Sequence, residues 1–182
     1  MTTIAPDLTG TWTIDPAHSQ LGFAVRHAMV STVRGSFGIY DGSLVLDAAD
    51  PGASTATVEI DAASITTGQE QRDGHLKSPD FLDVAQFPKL VFTSSRVQIA
   101  GDEVTLHGDL QIRGVSKPVE IDVEVGGIAH DPVGNTRAGF EGTATISRKD
   151  FGMEFNAALD AGGVLVGDKV KITLDISAVR QG

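Results

Sequence analysis

Chemistry in this 182-residue chain is sought first at its five histidines, His18, His27, His75, His107 and His130. A metal centre needs three or four convergent ligands. Paired helical ligands announce themselves by H-x-x-x-H or H-E-x-x-H spacing, and neither spacing occurs. Cysteine is absent, which removes disulfides, thiolate metal sites and cysteine nucleophiles. The stretch "IDPAHS" holds Asp15, His18 and Ser19, the residue types of a hydrolytic triad. A triad is defined by geometry in space rather than by adjacency. The G-x-S-x-G elbow that presents a nucleophilic serine is missing. Asp-Pro starts turns and Ser bonds nearby backbone, so this stretch reads as a turn. The sequence predicts no catalytic residue and no metal ligand. Arginine grips phosphate through paired N–H bonds. Arg26, Arg34, Arg72, Arg137 and Arg148, with Lys77, are the candidates for an anionic group. A surface ion pair is the more common use of each.

The elements that must position these residues are strands. Side chains on a strand alternate between faces with period two. In "EVTLHGDLQIRG", residues 103–114, Val104, Leu106, Leu110 and Ile112 alternate with Glu103, Thr105, His107, Asp109, Gln111 and Arg113. Val119, Ile121, Val123 and Val125 repeat the pattern against Glu120, Asp122 and Glu124. Similar stretches cover 11–15, 20–27, 35–47, 56–61, 89–99, 137–148 and 168–179. Asp41-Gly42 carries a hairpin or bulge signal. Gly101-Asp102 reads as a turn, and residues 47–55 read as a loop. Helical signals are few: residues 69–77 predict a short helix stopped by Ser78-Pro79. Residues 80–83 and 148–156 predict single turns. His107 on a polar face and His130 in "AHDPVGN" are expected to be solvated.

About eight alternating strands joined by short turns make an antiparallel all-β fold. Two short helices cannot cover so many strands, so the apolar faces must meet in a sandwich or a closed barrel. Long strands with many glycines favour a barrel, and a barrel of about eight strands either fills itself or holds one ligand. The inward parity falls on Phe23, Val25, Phe37, Phe92, Leu106, Leu110, Ile112, Ile121, Val123, Phe140, Ile146, Ile172 and Leu174. Few of these are large aromatics, a composition that leans toward a cavity. Residues 1–10 read as a flexible segment and 11–182 as one domain. The formal charge of −10 disfavours nucleic acid and anionic membrane faces at long range. No apolar stretch is long enough for a membrane-spanning helix, and the N-terminus lacks the pattern of a secretory signal. A cytoplasmic location is expected.

Several motifs together resemble the YceI-like, polyisoprenoid-binding family. "TWTIDPAHSQLGFAVRH" is similar to its N-terminal signature. Gly35, Phe37 and Gly42 match its next piece, and "RDGHLKSPDFLDVAQFPKLVF" resembles its middle motif. "LHGDLQIRGVSKPVEIDV", "ISRKDFGM" and "VGDKVKITLDI" follow in the same order. The resemblance runs from about residue 11 to 178. It implies an elongated, lipocalin-like antiparallel barrel, and a channel that binds, stores or transports a long-chain lipid of polyisoprenoid or isoprenoid-quinone type, or a fatty lipid, without enzymatic chemistry. No cofactor other than that lipid is implied, and homodimers are. His18, His27, Arg72 and His75 become the candidates for contacting a head group. The alternative is an enzyme acting on an isoprenoid or other apolar substrate through the His18, His27 or His75 region. Two departures stand out: many family members are exported, and Phe81-Leu82-Asp83 stands where the family often has Phe-Phe-Asp.

Overall fold

The structure is a computed structural model and describes residues 4–101 and 103–182. Its strands are β1 (Gly10–Ile14), β2 (Gln20–His27), β3 (Ser31–Phe37), β4 (Tyr40–Leu46), β5 (Thr55–Asp61) and β6 (Ile65–Thr66). After the helix α1 (Glu70–Lys77) come β7 (Lys89–Ala100), β8 (Glu103–Ile112), β9 (Val115–His130), β10 (Thr136–Ser147) and β11 (Val166–Arg180). Every pairing is antiparallel, and β1 pairs with both β4 and β11. Strands β1, β4, β5, β7, β8, β9, β10 and β11 therefore close into an eight-stranded barrel. Trp12 lies opposite Arg180, so closure joins the two ends of the chain.

One wall is creased by a line of strand breaks. The β1–β2, β3–β4 and β5–β6 runs all break at neighbouring positions. Pro16 cannot donate to a ladder, and the Asp15 carboxylate instead accepts the Ala17 N–H at 3.0 Å. Asp61 does the same for Ala63 at 3.0 Å. Gly38 and Asp61 then donate across the fold to the Ser64 and Ile39 carbonyls. Beyond this crease, β2 and β3 continue as a hairpin along β11, with Ile172 opposite Phe23.

Several expectations are corrected. Asp41-Gly42 forms no turn; both residues lie inside β4, and the 35–47 run breaks earlier, at Gly38-Ile39. Gly42 is glycine for space: a Cβ there meets the Ile14 side chain and the Thr57 carbonyl at 2.8 Å. Arg113 and Gly114, both at positive φ, make the two-residue turn from β8 to β9. The predicted helix forms as α1, with the Gln69 side chain accepting the Arg72 N–H at 3.2 Å. Residues 148–156 give one 3₁₀ turn, Arg148–Phe151, ended by Gly152 at φ +79°. The expected turn at Gly101-Asp102 includes Asp102, which lies outside the described residues.

The N-terminal segment, expected to be flexible, packs on the barrel where it is described. Residues 1–3 lie outside the described residues, but Ile4 and Leu8 are buried. They pack with Trp12, Ile14, Leu21, Tyr40, Ala138, Ile176 and Ala178. The Trp12 indole N–H donates to the Leu8 carbonyl at 2.8 Å, and the Arg180 guanidinium sits 4.7 Å above the ring. This cluster stoppers one end of the barrel.

Candidate functional site

The alternation that builds each strand leaves an apolar face on the inside of the barrel, and the opposed faces do not meet. Between them lies a cavity of about 460 Å³, within the usual range for a small-molecule pocket. Every apolar residue assigned above to the inward parity lines it. The sequence reading missed Leu76, Phe81, Met153 and Phe155, which also line it. They come from α1 and the irregular segments around it, where no period marks an inward side. Phe81 and Phe155 meet edge to face at 5.5 Å, and each makes a T-shaped contact with the His75 ring, at 5.0 and 4.8 Å.

Charge enters mainly at the end away from Trp12. Arg26, His27, Arg72, His75 and Arg148 reach the cavity there. Arg148 is 2% exposed. It donates to the carbonyls of Gly167, Met153 and Val166 at 2.8, 2.6 and 3.1 Å. Burial pulls its pKa below the ordinary guanidinium value, and the charge of Asp168 opposes that fall. Three carbonyl acceptors keep such a buried cation from being orphaned. Arg72 is tied to Thr67 through the hydroxyl and the carbonyl, at 2.7 and 3.0 Å. The Thr67 hydroxyl in turn donates to Asp73 at 2.6 Å, which holds that carboxyl below its usual range. His75 lies 2.8 Å from Asp80. His27 is exposed at the rim.

His18 is not part of this arrangement, which corrects the head-group set. It sits in the turn between β1 and β2, its side chain 65% exposed, 2.7 Å from Asp15. Ser19 does not meet it; the Ser19 hydroxyl donates to the Ser177 carbonyl and accepts the Ser177 N–H. Asp15 instead joins Arg137, at 2.8 Å, and Arg137 also holds Asp131 at 2.8 Å. Arg137 first, then His18, lowers the Asp15 pKa; the Asn135 N–H first, then Arg137, lowers that of Asp131. The cluster staples the crease to β10 and β11.

His107, expected to be solvated, is 14% exposed. Its polar-face neighbours Gln98 and Glu120 cover it, at 2.9 and 3.5 Å. His130 is exposed and lies 3.2 Å from the Thr136 hydroxyl. Among the described residues, no three His, Cys, Asp or Glu side chains are grouped to hold a metal. No helix among them is long and apolar enough to cross a membrane.

Fold and site together define a lipocalin-like class: a closed antiparallel barrel around an apolar cavity, with cations near one end. A YceI-like domain matches residues 12–178, and the chain belongs to that family. A UPF0312 protein of Staphylococcus aureus is 40% identical over 161 residues, spanning 88% of this chain and 92% of the relative. Burkholderia cenocepacia BcnA superposes with a TM-score of 0.77 at 24% identity, over 90% of this chain and 98% of that one. A polyisoprenoid binding domain from Saccharophagus degradans has a TM-score of 0.71 at 16% identity, over 93% of this chain and 98% of that one. At these identities the two structures speak to the fold alone.

Proposed function

We propose that this protein binds one long-chain lipid, of polyisoprenoid or isoprenoid-quinone type, in the barrel cavity, and stores or carries it without covalent chemistry. The observation that carries the reading is the cavity itself, apolar along its walls and stoppered by the Trp12 cluster. Each methylene buried there contributes about 0.8 kcal/mol, so a tail binds without polar contacts along its length. The tail lies along β8, β10 and β11, and a polar head sits among His27, Arg72, His75 and Arg148. The Saccharophagus degradans domain, described as polyisoprenoid binding, supports the choice of lipid. The proposal includes a cytoplasmic site of action and a homodimer as the assembled form. The alternative, an enzyme acting on an apolar substrate, rests on His75, which pairs with Asp80 beside the cavity.

The test is native mass spectrometry of protein purified from its own host, followed by organic extraction of what it releases. A stoichiometric long-chain species supports the proposal and names the cargo. Bare protein that also takes up no added polyprenyl lipid overturns it.

A further inference from the structure

The β2–β3 turn carries apolar side chains outward instead of inward. Ala28 and Met29 both sit at positive φ, +50° and +67°. That conformation is uncommon for residues with a side chain, and it thrusts Met29 and Val30 into solvent, 58% and 79% exposed. The neighbouring 157–165 loop adds Val164, also exposed. The two segments touch: the Ala28 N–H donates to the Leu165 carbonyl at 2.7 Å, and Met29 lies against Gly163. His27 and Leu165, beside this tip, line the cavity. The tip is therefore an apolar lip on the charged end of the cavity.

Cations outnumber anions beside the lip, where Asp160 of its own loop and Asp168 next to Lys169 are the nearby carboxylates. The protein carries −10 overall, yet Arg26, Arg34, Lys169 and Lys171 are exposed on the β2, β3 and β11 strands that lead to the tip. Arg34 and Lys171 both flank Ala24 across the sheet, about 10 Å apart as two strand spacings. None of these four cations forms an ion pair among the described residues. Arg26 donates to the Met29 carbonyl and the Thr32 hydroxyl, both at 3.1 Å, which fixes the turn.

Resting on the lipid-binding reading, we infer that this lip docks on an anionic bilayer surface, so that cargo passes between membrane and cavity without crossing water. Met29, Val30 and Val164 enter the acyl boundary, and Arg34 and Lys171 meet the lipid phosphates. A protein partner fits less well, because a stable protein interface takes about 800 Å² from each side and the tip offers only a few side chains. Interfacial membrane binding grows with buried apolar surface and with attraction of cations to anionic lipids, and the lip offers both. The net negative charge keeps the rest of the surface off the bilayer and so orients the rim toward it.

The test is co-sedimentation of the full chain with phosphatidylcholine vesicles, with and without phosphatidylglycerol. Wild-type protein is expected to pellet with the anionic vesicles and not with the neutral ones. Arg34→Gln with Lys171→Gln is expected to weaken binding about thirtyfold, from about fivefold per cation. Met29→Asp with Val30→Asp is expected to abolish it, with the urea midpoint of both variants near wild type. Polyprenol uptake from vesicles slows in both variants, while uptake of polyprenol added from ethanol matches wild type. Absence of vesicle binding by wild type, or variants that bind as wild type does, overturns the docking surface. Vesicle binding without polyprenol uptake from ethanol leaves the docking surface standing and overturns the proposed cargo instead.

Discussion

Replacing Ala144 by phenylalanine separates an open lumen from a packed core. Ala144 is buried on β10 opposite Ile172, and it lines the cavity. With about 460 Å³ of free space before it, the new ring settles against apolar walls. Burying a phenylalanine side chain contributes about 1.5–3 kcal/mol. In a core already filled, the same substitution costs about 1–3 kcal/mol through forced rotamers and backbone shifts. The sign of the change thus reports whether the space exists. The ring also takes room from a bound tail. Displacing about three methylenes at about 0.8 kcal/mol each removes about 2.4 kcal/mol, or about sixtyfold in affinity. Urea unfolding of lipid-free protein measures the first effect, and titration with a fluorescent long-chain isoprenoid measures the second. Lipid-free Ala144→Phe is expected to be at least as stable as wild type and to bind the isoprenoid far more weakly. A variant that loses stability yet binds the isoprenoid as wild type does refutes the reasoning.

Other perturbations follow from the same geometry. Gly108→Ala places a Cβ 2.5 Å from the Thr93 carbonyl and 2.6 Å from the Phe92 ring. It is expected to cost about 1–3 kcal/mol, read from the urea midpoint. Arg148→Leu removes the donors to the Met153, Val166 and Gly167 carbonyls. The Val166 carbonyl keeps its bond from the Asn156 side chain, but the Met153 and Gly167 carbonyls lose theirs at about 1–3 kcal/mol each, so stability falls and amide exchange rises over 152–167. Asp15 and Asp131 have pKa values depressed below the ordinary 3.8. The unfolded chain therefore binds more protons than the folded one in this range. Their contribution is full above about pH 4 and is lost as pH falls through the depressed values. Asp15→Asn with Asp131→Asn is expected to flatten the acid limb of a stability–pH curve; an unchanged limb counts against the staple at the crease.

Much of the wall was legible. Phe23, Leu110 and Ile172 stand on different strands, yet each shows its inward face by alternation with polar neighbours, because pleating is a local property of the backbone. The short helix was legible for the same reason, through its limits at Gln69 and Ser78-Pro79. Asp41-Gly42 misled because a dipeptide that suits a turn also suits a place where strands crowd together, and the crowding by Ile14 and Thr57 is set by distant parts of the chain. His107 misled because parity tells which face a side chain is on, not what lies beside it on that face. Gln98 and Glu120 cover it from neighbouring strands. The buried Ile4 and Leu8 escaped notice because two apolar residues carry no period. Leu76, Phe81, Met153 and Phe155 belong to segments whose direction is fixed by the carbonyls they offer to Arg148 and Arg113 and by contacts with one another.

By itself, then, the sequence determined which side chains face inward, because side-chain direction along a strand depends only on its neighbours. The tertiary structure alone decided that those faces enclose a space. The width of a barrel follows from how many strands close the ring and how they are staggered. Here closure depends on Trp12 meeting Arg180 across nearly the whole chain. It also decided that His18 stands apart from the cavity while His27, Arg72, His75 and Arg148 gather at one end. Those residues are scattered in sequence, and only the crease in the wall, the return of α1 and the loop held by Arg148 bring them together.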